Sequence, residues 1–211
     1  AGKIALVFAM ARRVVPFFIE RGVSEAFQAR NRTWVDIGSM VLFLAWAAID
    51  VFFPQHSLVG WLSVMLLGIH AVRMRDWYTH GIWKAPLLWS LYLGYGSLEL
   101  GFLLKALSVW TSIAPTLALH AFAVGGIGLM TLSMMSRVSL GHTGRNVFDP
   151  PAALAPMFAV LVLGALVRVF PPVVDPVHYV LWIGISQALW MTAFALFCVV
   201  YLPILVRPRL D

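Results

Sequence analysis

Residues 178–205 read HYVLWIGISQALWMTAFALFCVVYLPIL and contain no Asp, Glu, Lys or Arg. An uncharged apolar stretch longer than about 20 residues can cross a lipid bilayer as an α-helix. The rest of the chain has the same character, since 61% of its 211 residues are hydrophobic and only 11% are charged. A soluble domain of this size cannot bury so much apolar surface. The sequence therefore predicts an all-α, polytopic transmembrane helical bundle and excludes a soluble globular domain.

Charged and proline-containing joints separate the chain into one N-terminal helix and six fuller membrane spans. The first helix is expected at residues 3–18, and the spans are expected at residues 34–53, 57–72, 86–107, 115–136, 152–170 and 178–205. Proline is tolerated at helix ends, so Pro171 and Pro172 are expected to mark the end of a span. Pro203 is expected to kink or stop the last helix. Residues 1–211 are predicted to form a single transmembrane domain.

The basic residues lie unevenly on the two sides of the predicted membrane. With alternating spans, twelve of the fifteen Lys and Arg residues fall on one side, and only Lys3, Lys105 and Arg168 fall on the other. Lys and Arg accumulate in cytoplasmic joints, so the C-terminus and the 141–149 loop are predicted to face the cytoplasm. The net charge of +6 therefore indicates contact with the headgroups of the lipid bilayer and not a nucleic-acid partner.

Two polar residues, Glu99 and Gln187, lie deep within predicted spans. Glu99 is about 21 Å along its helix, and Gln187 is similarly deep in the last span. A carboxyl group facing the acyl chains would be costly, so Glu99 is expected to lie inside the bundle. Two roles stay open for it: a structural hydrogen bond to a neighbouring helix, or a place in a proton path or at a cofactor.

Histidine is the commonest ligand of transition metals and haem, and the chain has six. An unbroken helix would separate His120 from His142 by about 33 Å, so the two cannot bind one metal ion. We therefore expect two candidate sites, an outer one at His120 and a cytoplasmic one at His142. The remaining four histidines are expected to be solvated or interfacial: His56, His70, His80 and His178.

Small residues follow His120 on the same predicted helix. Residues 125–128 contain three glycines, which would let another helix or a flat cofactor approach the backbone closely. Further along, two glycines flank His142 and allow a tight turn. Arg145 supplies a fixed cation that could pair with a propionate or a phosphate.

The string HAFAVGGIGLMTLSMMSRVSLGHTGR at residues 120–145 resembles the hallmark of the NnrS family of bacterial inner-membrane proteins. RRVVPFF at residues 12–18 and YLPILVRPRLD at residues 201–211 are similar to two further family segments, in the same order. The resemblance implies a helical protein that contains haem and copper and serves nitrogen-oxide metabolism, denitrification or relief of nitric oxide stress. It also implies that this chain is the C-terminal half of a longer protein. The missing N-terminal half, or another subunit, is therefore an expected partner.

The family motif, carried onto this sequence, points to four cofactor-binding residues: His120, Arg137, His142 and Arg145. The two histidines are the expected metal ligands, and His120 is preferred because it lies at membrane depth. The resemblance does not say which histidine would bind which metal. No catalytic residue is predicted, and whether the protein is an enzyme stays open.

The leading functional hypothesis is a haem-copper protein of the inner membrane that handles or senses nitric oxide or a nitrosylated metal species. One alternative is a transporter or channel with a polar path near the midplane through Glu99 and Gln187. A second alternative is a non-catalytic assembly or regulatory factor that uses the basic cytoplasmic face as its partner surface.

Overall fold

The computed structural model describes residues 2–209, without the side chain of Lys3, and no strand occurs in that range. Its α-helices, in chain order, are α1 (Gly2–Gly22), α2 (Thr33–Phe52), α3 (Ser57–Trp77), α4 (Pro86–Trp110), α5 (Pro115–His120), α6 (Leu129–His142), α7 (Leu154–Val174) and α8 (Tyr179–Val206). A π-helical segment (Ala121–Gly128) joins α5 directly to α6, and short 3₁₀ turns occur at His80–Lys84 and Pro176–His178. The predicted all-α class is confirmed.

Six stretches in the described part of the chain are long and apolar enough to cross a membrane, and they follow the six predicted spans in order. α5, the π segment and α6 together form one of them, Pro115–His142. α1 is not among the six. It continues through Pro16 to Gly22, past its predicted end. The predicted multi-pass bundle is thus confirmed.

The helix end expected at Pro171 and Pro172 is wrong, and of the two outcomes expected at Pro203, a kink or a stop, the stop is excluded. Pro171 and Pro172 lie inside α7, which continues to Val174. Pro203 lies inside α8, which does not stop there but runs to Val206. A proline removes only one backbone hydrogen bond, whereas unwinding the helix would expose several backbone groups to lipid, which offers them no partner.

α4 is the central helix of the bundle. It packs against α1, α3, α5, the π segment, α6 and α7, and more than half of the residues in its span are buried. α8, in contrast, packs mainly on α7, and 17% of its span is buried. Val180 and Val199 on α8 are 81% and 71% exposed. Such an apolar outer surface suits contact with acyl chains.

The interior consists of two apolar cores. The first lies mainly among α1 to α5 and the π segment and contains aromatic rings grouped around Phe102 of α4. The ring centroids of Phe122 and Trp46 lie 5.0 and 5.4 Å from that of Phe102, in edge-to-face arrangements that stabilise aromatic pairs. The second core lies mainly among α6, α7 and α8, around residues such as Phe158 and Tyr201.

Candidate functional site

A polar cluster is buried in the first core, where α3 meets α4. His70 and Arg73 are three residues apart on α3 and therefore share one face of the helix. Nδ1 of His70 lies 2.6 Å from the hydroxyl of Tyr95 on α4, and Arg73 donates a hydrogen bond to the same hydroxyl at 3.1 Å. These three residues are 1%, 5% and 0% exposed. Polar groups buried to this extent are costly and are functional candidates in a membrane helix.

The hydrogen bonds around His70 indicate which ring nitrogen carries the proton. Nη1 of Arg73 lies 3.3 Å from Nδ1 of His70, and a guanidinium can only donate. Nδ1 therefore accepts hydrogen bonds, from Arg73 and from the Tyr95 hydroxyl, and the neutral ring is protonated at Nε2. Nε2 is buried without a hydrogen-bond partner among the residues that the structure describes. His70 thus holds an unused N–H donor inside the bundle.

Arg73 connects this cluster to two further helices. Its guanidinium donates to the Asp36 carboxylate at 2.8 Å, to the Ser39 hydroxyl at 3.0 Å and to the Val35 carbonyl at 3.3 Å, all on α2. Asp36 also lies 3.5 Å from Arg12 of α1. These bonds offset the desolvation of the Arg73 charge and hold its head group in place.

A cavity of about 120 Å³ lies beside the cluster, between α1, α2 and α3. His70, Arg73 and Ser39 supply polar lining, and Phe8 and Phe43 supply apolar walls. The Phe8 ring stacks on the imidazole of His70 at a centroid distance of 4.2 Å. A single water needs about 10–15 Å³, so this cavity can hold a small molecule or several waters but not a haem. We name it the His70 cavity.

The expectation that His70 is solvated or interfacial is wrong. α3 extends to Trp77, beyond its predicted end, so His70 lies more than a turn inside the helix. The sequence contained a signal for the cluster, namely the spacing of His70 and Arg73 on one helix face, with Asp36 and Tyr95 in other spans. That signal could not be used without knowing which helices are neighbours.

His120 and His142 lie at opposite ends of the stretch formed by α5, the π segment and α6. The ring of His120 is half-buried, and its Nε2 lies 3.1 Å from the hydroxyl of Tyr179. His142 is exposed. The structure therefore keeps the two histidines in separate places.

The glycine surface that follows His120 packs closely on α4. A Cβ atom added to Gly126 would lie 2.2 Å from Cδ2 of Leu98, and one added to Gly125 would lie 2.7 Å from Cβ of Ser97. Both contacts are shorter than the 3.0 Å below which real Cβ atoms essentially never approach. Of the two partners expected for this surface, another helix or a flat cofactor, the structure shows a helix, because α4 packs on it.

The other motif residues lie near the end of α6. Arg145 donates hydrogen bonds to the carbonyls of Thr143 and Ile204, both at 3.4 Å, and so braces the end of α6 against α8. Arg137 is 8% exposed. No hydrogen bond joins either arginine to His142 in the described part of the chain. Residues 2–209 also contain no group of three or more His, Cys, Asp and Glu residues placed to hold a metal ion.

The two deep polar residues are not brought together. Glu99 is half-buried on α4, and its Oε1 atom is buried without a partner among the described residues. Gln187 is exposed on α8, a helix that packs mainly on α7. A single polar path through Glu99 and Gln187 therefore has no support in this arrangement.

Comparison with known proteins gives a family assignment. No curated protein and no solved structure matches the chain significantly. The family described as NnrS protein matches residues 2–209, which is nearly the whole chain and includes the string at residues 120–145. This protein therefore belongs to the NnrS family.

Proposed function

We propose that this protein serves nitrogen-oxide metabolism in the bacterial inner membrane, where it handles nitric oxide or a nitrosylated metal species. The observation that carries the proposal is membership of the NnrS family over residues 2–209. A multi-pass helical bundle is consistent with a nitric-oxide-related membrane protein. The protein's orientation, with the C-terminus in the cytoplasm, is part of the proposal and rests on the uneven distribution of basic residues.

The proposed binding place for a small nitrogen oxide is the His70 cavity. Nitric oxide is an uncharged diatomic molecule that enters lipid readily, and the cavity's volume of about 120 Å³ suits a ligand of that size. His70 lines the cavity, but its Nε2 atom has almost no accessible surface, so a hydrogen bond from Nε2–H to the ligand would require the imidazole or a wall of the cavity to shift. The lining carries Arg12 and Arg73 against Asp36, which leaves one net positive charge and would favour a ligand form that carries negative charge.

Haem and copper, which the family resemblance implies, find no complete site in the described part of the chain. α4 packs on Gly125 and Gly126, the His70 cavity is too small for haem, and no cluster of metal-binding side chains occurs in residues 2–209. His120 stays our proposed metal ligand within this chain, as a single ligand beside Tyr179. A metal there needs further ligands from outside the described residues.

The transporter hypothesis has weaker support than the nitrogen-oxide hypothesis. Glu99 supplies a buried, unpartnered carboxylate oxygen, but Gln187 faces outward on another helix. No observation on the described residues favours the assembly-factor hypothesis over the proposed function.

The proposal is tested by measuring bacterial growth in the presence of a nitric oxide donor. The bacteria used depend on the full-length protein for protection. His70→Phe keeps an aromatic ring in contact with Phe8 and Phe102, which both stack on His70, but removes the two ring nitrogens. We expect this variant to lose most of the protection at normal membrane abundance. His80→Phe is the matched control, because His80 is exposed and lies outside the His70 cavity.

If His70→Phe does not insert into the membrane, Tyr95→Phe provides a second test of the cavity. It removes only the hydroxyl that contacts Nδ1 of His70, so we expect a smaller loss of protection. Full protection by His70→Phe would contradict the role of the cavity. Absence of protection by the unchanged protein would contradict the proposed function itself.

A further inference from the structure

A second cavity, of about 360 Å³, lies between the start of α4, the end of α6 and the start of α7. It is at the end of the bundle that carries most of the basic residues. Its charged lining residues are Lys84, Arg137 and Asp149. We name it the Arg137 cavity. It lies apart from the His70 cavity, and the two share no lining residue.

Arg137 is the residue that makes this cavity unusual. It is only 8% exposed, and its guanidinium carries several N–H donors. Among the described residues it has neither a hydrogen-bond acceptor nor a carboxylate partner. Its charged group instead lies over the Phe18 ring, 3.9 Å from the ring centroid. A buried charge without an anionic partner is costly, so donors left free beside a cavity indicate a missing anion.

Two helix N-termini face the same cavity and add to this preference. Pro86 and Leu87 in the first turn of α4, and Ala155 in the first turn of α7, are lining residues. The two helices begin after Ala85 and Ala153, and neither has a hydrogen bond from a capping side chain. In these first turns Pro86 and Pro156 have no N–H, and the N–H groups of Leu88 and Leu154 donate to the carbonyls of Ala85 and Pro151. The N–H groups of Leu87 and Ala155 remain, and the partial positive charge at a helix N-terminus attracts anions.

The composition of the lining indicates the kind of anion. The lining carries two positive charges, on Lys84 and Arg137, and one negative charge, on Asp149. The resulting net charge of one positive unit suits a monoanion such as a phosphodiester. Phe148, another lining residue, is 66% exposed, and an exposed apolar side chain beside a charged cavity suits contact with the acyl chains of a lipid whose headgroup lies in the cavity. We infer that the Arg137 cavity binds the phosphodiester headgroup of an anionic phospholipid.

Thermal unfolding of the purified protein in detergent tests this inference. Short-chain phosphatidylglycerol should raise the Tm, whereas phosphatidylcholine and inorganic phosphate at the same concentration should raise it much less. Arg137→Gln should weaken the apparent affinity for phosphatidylglycerol by at least about tenfold, because a charge-assisted hydrogen bond is lost. Arg75→Gln is the control. It removes the same charge from an exposed position at the end of α3, outside the cavity.

Ala152→Asp provides a second variant that does not depend on the folding of Arg137→Gln. Residue 152 is exposed and lines the cavity just before α7, so a carboxylate there should repel the headgroup while favouring the helix N-terminus. We expect an unchanged or higher Tm without lipid and a lost response to phosphatidylglycerol. An equal lipid response in Arg137→Gln and Arg75→Gln would overturn the site. An equal response of the unchanged protein to inorganic phosphate would overturn the assignment to a lipid.

Discussion

The arginines of this bundle show how neighbouring atoms decide the role of a residue. Arg73 pairs with a carboxylate and is held by side chains of three helices. Arg145 donates to two carbonyls, and Arg168 donates to the carbonyl of Ile183 at 3.3 Å. Arg137 has an aromatic ring as its neighbour and no anion among the described residues. The same side chain therefore braces helices at some positions and is available to a ligand at another.

The glycines around His142 end a helix. Gly144 has a φ of 72°, in the left-handed region. The Arg145 N–H donates to the Leu140 carbonyl at 3.0 Å, and the Gly144 N–H donates to the Gly141 carbonyl at 3.4 Å. This pair of bonds is the Schellman arrangement, which satisfies carbonyls at a helix C-terminus. The last part of the family string is therefore explained by helix termination.

Gly144→Ala should lower the free energy of unfolding by about 1–2 kcal/mol, because a Cβ atom is disfavoured at positive φ. Gly141→Ala is the matched control, since that position is helical and a Cβ there meets no atom within 4 Å. Chemical unfolding of both variants in the same detergent would measure the difference. Equal stability of the two variants would show that the backbone conformation at Gly144 is not a constraint.

At the scale of elements, the π segment and α4 pack through small residues on both sides. Gly101 of α4 receives the Phe122 ring, since a Cβ atom added to Gly101 would lie 2.5 Å from that ring. In return, Gly126 of the π segment receives Leu98 of α4. π-helical turns are rare and are often found at functional sites. Here the segment's contribution is a close helix contact, which places His120 at its N-terminal end.

Gly126→Ala should destabilise the protein by about 1–3 kcal/mol, because the added methyl group overpacks the contact with Leu98, which is fully buried. Gly128→Ala should change stability much less. The nearest atom to a Cβ at Gly128 is the Ala123 carbonyl oxygen at 3.4 Å, an ordinary contact. Both substitutions raise helix propensity equally, so the difference between their unfolding free energies isolates the packing effect. A lower stability for Gly128→Ala than for Gly126→Ala would contradict this packing.

At the scale of the whole molecule, polar clusters fix α2 to its neighbours near both of its ends. Near its start, Asp36 lies 2.8 Å from Arg73 of α3. Near its end, Asp50 lies 2.6 Å from Lys105 of α4. Lys105 is one of the three Lys and Arg residues that the sequence places on the outer side, and its ion pair with Asp50 does not change that count, because acidic residues contribute little to the positive-inside rule. The basic face at the opposite end therefore dominates the expected orientation.

Labelling from each side of the membrane tests this orientation. With Cys198, which is exposed, replaced by Ser, we expect Ser24→Cys to react with an impermeant maleimide only in inside-out vesicles. Ser112→Cys should react only from the periplasm. Both serines are exposed and lie in joints, before α2 and after α4, so accessibility is matched. Labelling of Ser24→Cys from the periplasm would reverse the predicted topology.

The sequence alone determined the all-α class and the order of the six spans, because the length and hydrophobicity of a segment are local properties. It also carried the family resemblance, which the match over residues 2–209 confirms. It did not determine which polar residues meet. His70 and Tyr95 are 25 positions apart, and Arg73 and Asp36 are 37 apart, so their contacts depend on which helices pack together.

Only the tertiary structure determined what contacts the glycines that follow His120. Glycines in a sequence permit close approach by a helix or by a cofactor, and the neighbouring surface determines which of these occurs. α4 brings Leu98 and Ser97 against that surface, so the partner found there is a helix. The free donors of Arg137 likewise became visible only when the ends of three helices enclosed a cavity. The composition of the sequence indicated that this protein lies in lipid. The packing of its helices determined the candidate sites, because a site requires atoms from several segments at one point in space.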